Sequence, residues 1–311
     1  MDGATINLAG DIAEEMKLGR GPQTDVLIIG ASATDIIGHS FGTGGPEMCL
    51  QLEALDRQIG TLLKRLDRAK IDYVVALTAD HGGHDVPERN RELAVPDAMR
   101  VDASLTPAAM GSALASELGL AAPLLYGTDP GGDIYIDRSV TGARRDTVLA
   151  RAKAAYLARP QVAAVFSAAD IAATPPATNP PEAWTLAERV RAGYVSGRSG
   201  DLIVLFKARV TPIANPGSGY VATHGSPWDY DRRVPILFWR KGMAGFEQPN
   251  SIETVDIAPT LAGLIGFSVG AGEMDGKCRD LLVGPATSCP PERQWYIGLD
   301  GKANPGQLLP R

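Results

Sequence analysis

Val26-Leu27-Ile28-Ile29, followed within ten residues by Asp35-Ile36-Ile37-Gly38-His39, is the stretch that decides the fold prediction for this 311-residue chain. Four consecutive apolar residues are typical of a strand that is buried on both faces, as in a parallel sheet. The aspartate and the histidine then lie on the loop beyond the carboxyl end of this strand, where open α/β sheets place their ligands. The stretch therefore predicts a polar site at one edge of a parallel sheet.

A second strand and loop repeat this arrangement. Residues 73–77 form another apolar run, and Asp80-His81-Gly82 follows its carboxyl end. Between the two units, apolar side chains recur at spacings of three and four from Pro46 onward, which predicts an amphipathic helix with the proline in its first turn. Random placement would not favour two consecutive units that deliver aspartate and histidine to the same edge.

The middle of the chain has a different character. Helical and strand-like patterns alternate over residues 101–197 without a candidate site, whereas an apolar strand at 202–206 and a proline- and glycine-rich loop lead to His224. We predict the α/β class, with a mostly parallel sheet sandwiched by helices and a smaller inserted α+β subdomain. The predicted parts are a core at 1–100, an inserted cap at 101–197, and a second core part with a C-terminal loop at 198–311.

The composition excludes several classes of protein. A hydrophobic content of 44% and a charged content of 21% are typical of a globular protein with a sizeable core. The net charge of −6 and the pI near 5.3 argue against a nucleic acid or an anionic membrane as partner, because either would require a basic surface. No run of 18 apolar residues predicts a membrane span, and the N-terminus has no signal-peptide pattern.

The three cysteines give two separate predictions. Cys278 and Cys289 flank a ten-residue stretch, and a disulfide between them would stabilise the fold by very roughly 2–3 kcal/mol. Such a bond would indicate a compartment outside the cytosol, and the alternative is a pair of buried thiols. Cys49 lies in the helical pattern and is predicted to be in the core.

Most of the histidines lie in motifs that suit metal. Asp35 with His39, Asp80 with His81, and His224 in Thr223-His224-Gly225 supply the imidazole and carboxylate groups of a catalytic zinc site. Each motif alone is weak evidence, because aspartate and histidine at strand ends also cap loops and helices. The fourth histidine, His84, is interpreted as a surface loop residue.

In combination, the motifs resemble the alkaline phosphatase superfamily. The similarity is greatest to its monomeric branch with a threonine nucleophile and to the related type I phosphodiesterases and nucleotide pyrophosphatases. The stretches that carry the resemblance are residues 32–39, 78–83, 198–202, 224–231 and 255–261.

The resemblance implies roles for the five candidate ligands. Asp35, His39 and His224 would hold one zinc ion, and Asp80 and His81 would belong to a second. In the family, the second zinc also takes an earlier aspartate and contacts a nucleophilic threonine or serine. Both come from an N-terminal half that no segment of this chain matches, so no catalytic nucleophile is assigned.

We therefore expect the C-terminal portion of a phosphate-ester hydrolase for small molecules. It would be periplasmic or secreted, would bind zinc, and would have little or no phosphatase activity without a missing N-terminal half. Uncovered strands and helix faces predict poor solubility or oligomerisation.

Other interpretations stay open. The chain could be a non-catalytic zinc-binding protein that stores metal or binds a partner. A sulfatase is less favoured, because no cysteine lies in the required C/S-x-P-x-R setting, and phosphoglycerate mutase relatives share less of the late histidine motif. Manganese or cobalt suits the same ligands as zinc.

Overall fold

A computed structural model of the chain describes residues 1–217, 219–267, 270, 272–282 and 287–289. Helices and strands are both present in these ranges, so the predicted α/β class is confirmed. The elements are α1 (Asp2–Glu15), α2 (Ala33–Phe41), α3 (Pro46–Arg68), β1 (Val74–Thr78), α4 (Pro87–Glu92), β2 (Met99–Arg100), α5 (Pro107–Leu118), β3 (Leu125–Tyr126), β4 (Gly132–Ile136), α6 (Gly142–Leu157), β5 (Val162–Ser167), α7 (Ala168–Ala173), α8 (Leu186–Gly193), β6 (Leu202–Phe206), β7 (Val210–Thr211), α9 (Asp229–Arg232), β8 (Ile236–Arg240) and α10 (Ile257–Leu264).

The contacts divide the chain into two compact units. The first unit comprises Met1–Met16, Leu27–Ala69 and Asp80–Val234, and the second comprises Lys17–Val26, Lys70–Ala79 and the described residues from Pro235 onward. All five candidate metal ligands belong to the first unit. Of the helices in the described ranges, none combines the length and the apolar composition that a bilayer crossing needs.

A four-stranded sheet supplies most of the buried core of the first unit. Its order is β3-β4-β6-β5, and every neighbouring pair is antiparallel. Helices α5 and α6 pack on it, and Tyr156 of α6 is fully buried among its side chains. Strand β6 lies beyond the predicted cap boundary at residue 197, yet it pairs with both β4 and β5. The three-part domain division stays a prediction.

The direction of strand pairing differs from the prediction. Among the described residues, four strand pairs are antiparallel and one pair, β2 with β7, is parallel. The predicted parallel direction is therefore wrong for most of these pairs. Strand β6 shows the reason: it is a central strand covered on both faces, so its sequence is continuously apolar although its neighbours run the other way. The continuous apolar pattern results from burial on both faces, and it does not depend on the direction of the neighbouring strands.

Residues 26–29, which were predicted to form a buried strand, are not in a strand. Val26 is 72% exposed and Ile28 is 90% exposed. A strand needs a neighbour that accepts its N–H groups and donates to its carbonyls, and no strand in the described ranges pairs with this segment. The prediction is therefore wrong for this structure, because the sequence shows only the apolar side chains and not the neighbouring strand.

Helices α1, α2 and α3 lie next to one another in the first unit. The buried carboxylate of Asp2 accepts the Ala33 N–H at 2.9 Å and the Gln51 side-chain N–H at 2.8 Å, so it joins the beginnings of α1 and α2 to α3. Helix α3 begins at Pro46, as predicted. Its buried side includes Met48, whereas Cys49 is one position further round the helix and is exposed. The prediction of a core cysteine is therefore wrong.

In the second unit, β1 and β8 form an antiparallel pair with Ala76 opposite Phe238. None of their ten residues is buried.

Cys278 and Cys289 are joined by a disulfide, as predicted, with a Cα–Cα distance of 5.7 Å. This bond closes the loop that the sequence analysis identified.

Candidate metal centre

Helix α2 carries the first two candidate ligands on one face. Asp35 lies in its first turn and His39 in its last turn, four residues later. Side chains four residues apart on a helix are neighbours. The distance from Asp35 Oδ1 to His39 Nε2 is 3.4 Å.

The orientation of the His39 ring is fixed by the segment that precedes His224. His39 Nδ1 lies 2.8 Å from the Ala222 carbonyl oxygen. A carbonyl oxygen only accepts, so Nδ1 carries a hydrogen, and in the neutral ring Nε2 is the nitrogen with the lone pair. The His39 carbonyl in turn accepts the N–H groups of Val221 and Ala222, and the Tyr220 ring stacks on His39 with centroids 4.2 Å apart.

His224 completes a close group of three donors. Its Nε2 lies 3.3 Å from Asp35 Oδ1 and 3.2 Å from His39 Nε2. Partial burial and the neighbouring imidazole of His81 lower the pKa of His224, which favours the neutral, ligating form of the ring. Gly225 follows with a φ of +97°, a backbone conformation that favours glycine.

Gly82 lets the loop with His81 approach helix α9, which follows His224 in the chain, closely. Its N–H donates to the Asp231 carbonyl at 2.7 Å, and an added Cβ would lie 2.2 Å from the Tyr230 carbonyl oxygen. Any side chain at position 82 would therefore separate the two backbones. The glycine is required here for this close approach.

His81 points into the same group as His224. Its Nδ1 donates to the Gly82 carbonyl at 2.8 Å, and its Nε2 lies 3.7 Å from Asp35 Oδ1. The rings of His81 and His224 are stacked, with centroids 3.4 Å apart. One ligand atom from each of Asp35, His81 and His224 lies within 4.8 Å of the others, which makes them a candidate metal group of the described chain.

Asp80 is separate from this group. Its side chain is 89% exposed, and its Oδ1 accepts the N–H of His81 at 3.1 Å. The same oxygen lies 3.7 Å from His81 Nε2. The structure thus brings four of the five predicted side chains to one point and places Asp80 at its margin.

The donor chemistry and its spacing fit a zinc-type ion. Zinc in proteins binds imidazole nitrogen and carboxylate oxygen at about 2.0–2.2 Å, usually in a tetrahedron, so that neighbouring donors lie about 3.3–3.6 Å apart. The separations among Asp35 Oδ1, His39 Nε2 and His224 Nε2 are 3.2, 3.3 and 3.4 Å. In both His39 and His81, the other ring nitrogen, Nδ1, donates to a backbone carbonyl. This arrangement is also typical of metal-ligating histidines.

Two polar residues near the centre escaped the sequence analysis. Asp231 is buried, its Oδ2 accepts the Ser226 N–H at 2.7 Å, and its Oδ1 has no hydrogen-bond partner among the residues that the structure describes. It lies in residues 224–231, a stretch that was noted only for its resemblance. Arg100 bonds the carbonyl of Val221, and nothing in its local sequence signals this.

His84 differs from its interpretation as a surface residue. It is half-buried, and within the described part of the chain its Nδ1 has no hydrogen-bond partner. Burial lowers the pKa of the ring. His84 does not belong to the metal group found in the described residues.

Comparison with known proteins shows the family to which the chain belongs. The profile of the type I phosphodiesterase / nucleotide pyrophosphatase family matches residues 4–227, which is well over half of the chain. The chain belongs to this family. The resemblance that the motifs indicated is thereby confirmed.

Individual relatives are alkaline phosphatases by name. The chain is 51% identical over 290 residues to alkaline phosphatase PhoK of Sphingomonas sp, and 48% identical over 291 residues to alkaline phosphatase PhoD of Zymomonas mobilis subsp. mobilis. Each alignment covers 93% of this chain, but only 52% and 50% of the relative. The crystal structure of alkaline phosphatase PafA matches with a TM-score of 0.76 and 26% identity, over 90% of this chain and 52% of PafA. The chain therefore spans about half the length of these relatives.

Proposed function

We propose that this chain is the metal-binding portion of a zinc-dependent phosphate-ester hydrolase of the alkaline phosphatase type. Asp35, His39 and His224 would hold one zinc ion, while Asp80 and His81 would contribute to a second. The observation that carries the proposal is the 3.2–3.4 Å spacing of the three donors, which come from residues up to 189 positions apart in the sequence. Membership of the family supports it independently.

The residues of the chain would bind and orient the reacting groups in defined ways. When bound, zinc supplies positive charge and Lewis acidity for a phosphate ester. Asp35 provides the single carboxylate oxygen shared by three imidazole neighbours. The carbonyls of Ala222 and Gly82 hold His39 and His81 in the tautomer whose Nε2 faces that oxygen. These contacts fix the donors before any ion binds, which reduces the cost of ordering them.

We also propose that the isolated chain has little or no activity. The resemblance places the nucleophile, and a further aspartate for the second zinc, in a segment that this chain does not match. The chain spans about half the length of the relatives, which supports the same idea. Without a positioned nucleophile, phosphoryl transfer loses most of the rate that positioning supplies. An N-terminal half would then be the partner that completes the site.

A periplasmic or secreted location is part of the proposal. It is supported by the Cys278–Cys289 disulfide, because such bonds persist in oxidising compartments and are rare in the cytosol. The substrates would be small phosphate esters, as the resemblance implies.

Metal analysis of the purified chain tests the first zinc site. We expect about one tightly bound zinc per chain, lost in Asp35→Ala and in His224→Ala. His84→Ala is the matched control, since it removes a nearby half-buried imidazole that is outside the metal group, and it should keep the zinc. Full zinc retention in both ligand variants would overturn the proposal.

The second candidate function is a zinc-binding protein without catalysis. It is favoured by a donor set that is sufficient for one ion in a chain with no assigned nucleophile. A phosphate-ester assay of the zinc-loaded chain separates the two when it is repeated after adding the half of the Sphingomonas relative that the chain does not match. Restored hydrolysis would support the hydrolase, and zinc binding without hydrolysis in both assays would support the alternative.

A further inference from the structure

We infer that Arg100 is a positioning residue of the metal centre, acting on His39 through the backbone of Val221 and Ala222. The inference rests on the proposed zinc site, and it extends it to a residue outside the ligand motifs. Arg100 belongs to the short strand β2 and contacts none of the candidate ligands directly. Its influence would pass through hydrogen bonds.

The guanidinium of Arg100 holds four acceptors at once. Its Nη1 donates to the carbonyls of Val221 at 3.0 Å and Ile213 at 3.3 Å. Its Nε and Nη2 donate to the two carboxylate oxygens of Glu88 at 2.8 and 2.9 Å. The Arg100 side chain is only 14% exposed. Its bidentate pair with Glu88 fixes the plane of the guanidinium. The carbonyls of the loop therefore meet a donor whose position is already set.

The N–H groups of Val221 and Ala222 and the Ala222 carbonyl bond to His39. The N–H of Val221 donates to the His39 carbonyl at 2.7 Å, and the N–H of Ala222 donates to the same oxygen at 3.2 Å. The Ala222 carbonyl accepts the hydrogen of His39 Nδ1 at 2.8 Å. Val221 is thus bonded on one side to Arg100 and on the other to the helix that carries Asp35 and His39.

The two neighbours of Arg100 in the chain hold the other end of the same loop through their backbones, since the Met99 N–H donates to the Arg209 carbonyl at 3.2 Å. Strand β2 pairs in parallel with β7, with Arg100 opposite Thr211, and the next residue donates its N–H to the Thr211 carbonyl at 2.9 Å. The segment around Arg100 therefore fixes the loop where it leaves β7, and the Arg100 side chain fixes it where it reaches Val221. His224 follows three positions later.

Removal of this side chain should act on the metal and not only on stability. The Val221 and Ile213 carbonyls would lose a charged donor, and the Ala222 carbonyl that sets the His39 tautomer would be less constrained. Loss of an outer partner of a metal-ligating histidine typically costs roughly 10- to 100-fold in metal affinity. Lysine supplies one compact donor group where arginine supplies a fork, so Arg100→Lys should retain only part of the function.

Arg145 offers a matched control in the same unit. Its guanidinium also bridges a carboxylate, that of Asp201 at 2.6 Å, and two backbone carbonyls, those of Asp137 and Val140 at 3.3 Å. None of these partners is a candidate ligand or lies next to one in the sequence. Arg145→Gln should therefore destabilise the fold by a similar mechanism without changing the metal centre.

The experiment compares the wild-type chain with Arg100→Gln, Arg100→Lys and Arg145→Gln. Zinc affinity is measured by competition with a coloured chelator, and the coordination is followed by the visible absorption of bound Co²⁺. Hydrogen exchange of the Val221 and Ala222 amides is measured on the metal-free chain. Because Arg100 acts through the Ala222 segment and is not itself the partner of His39, we expect Arg100→Gln to bind zinc up to about 10-fold more weakly, to alter the Co²⁺ spectrum and to speed exchange of both amides. Arg100→Lys should be intermediate, and Arg145→Gln unchanged in all three.

The outcomes separate this inference from the proposed function. Unchanged amide exchange in Arg100→Gln, or faster exchange with unchanged zinc affinity, would overturn the positioning role while leaving the zinc site intact. An equal loss of affinity in Arg145→Gln would show general destabilisation and overturn it as well. A wild-type chain that binds no zinc would overturn the proposed function, and the inference with it.

Discussion

Strands β6 and β8 have similar sequences and very different surroundings. Strand β6 reads Leu-Ile-Val-Leu-Phe and β8 reads Ile-Leu-Phe-Trp-Arg. Leu202 of β6 is fully buried between two neighbouring strands, whereas Leu237 of β8 is 49% exposed and Trp239 is 41% exposed. Each strand is apolar enough for a core, but only β6 lies in one within the described residues. An apolar strand sequence therefore indicates how much burial the strand requires, and not whether this chain supplies that burial.

The same contrast applies to residues 26–29. Their apolar side chains are mostly exposed, and no described strand pairs with them. Exposed apolar strands with free edges attract other chains. The comparison therefore bears directly on the proposal that a further half of the protein completes the site.

The largest expected effect is on the buried strand. Leu202→Ala should lower the free energy of unfolding by roughly 2–5 kcal/mol, because it leaves a cavity in a packed core. Leu237→Ala, the matched change in β8, should cost less than about 0.5 kcal/mol, since an exposed side chain is truncated. Denaturant unfolding of both variants measures the difference, and similar losses would show that β8 is buried in solution.

Zinc should raise the stability of the first unit by a comparable amount. A ligand that binds only the folded state at 100 times its dissociation constant contributes about 2.7 kcal/mol. Thermal unfolding with added zinc, and again with excess chelator, measures this contribution. His224→Ala should abolish the response and His84→Ala should keep it, whereas a response that survives in His224→Ala would place the ion elsewhere.

A smaller effect is expected at the edge of the buried sheet. Burial alone would raise the pKa of Asp170, but hydrogen bonds from Lys153 and Ser167 outweigh it and lower the pKa to about 2. The stabilisation is therefore fully present above the ordinary value of 3.8 and is lost as the pH falls toward 2. Asp170→Asn should cost about 1 kcal/mol at neutral pH, mainly through the capping box of α7.

The pH dependence checks this assignment. The difference in the free energy of unfolding between the wild type and Asp170→Asn should shrink between pH 7 and pH 3. A difference that is constant over this interval would show that the charge of Asp170 is not involved.

The smallest effect on stability, under about 0.5 kcal/mol, is expected for Leu237→Lys in β8. Its effect on association should nevertheless be clear, because a charge on an exposed apolar strand disfavours edge-to-edge pairing. We predict that the chain expressed alone oligomerises, and that Leu237→Lys shifts it toward the monomer in analytical ultracentrifugation. Exposed Glu53 of α3, replaced by lysine, is the control. A monomeric wild-type chain with a sharp, cooperative melt would contradict the prediction.

The sequence predicts local elements of this fold well. Helix α3 begins at the predicted Pro46, β6 covers the predicted residues 202–206, and the Cys278–Cys289 bond forms. Proline position, continuous apolar runs and short cysteine loops are properties of neighbouring residues, so they are visible in the chain. Strand ends that collect at one edge of an α/β fold predict only that the Asp35–His39 and Asp80–His81 units lie close together, whereas the grouping of His224 with Asp35 and His39 follows from the family resemblance.

What the sequence does not reveal depends on neighbours that are distant in the chain. Cys49 and Met48 have equally apolar surroundings in sequence, and only the packing of α3 decides which of them is buried. Asp80 adjoins His81, but its carboxylate accepts a backbone N–H and remains in solvent. Arg100 is 121 residues from the Val221 carbonyl that it bonds, and an arginine that binds backbone carbonyls has no motif.

Gly82 has a consequence for how mutations in this region should be interpreted. The distance between the loop that bears His81 and helix α9, which follows His224, depends on an atom that the residue lacks, since a methyl group there would overlap the Tyr230 carbonyl oxygen. An alanine scan would thus find high sensitivity at a position that has no functional group of its own. Steric exclusion, as much as the choice of ligands, restricts which sequences can keep these two imidazoles together.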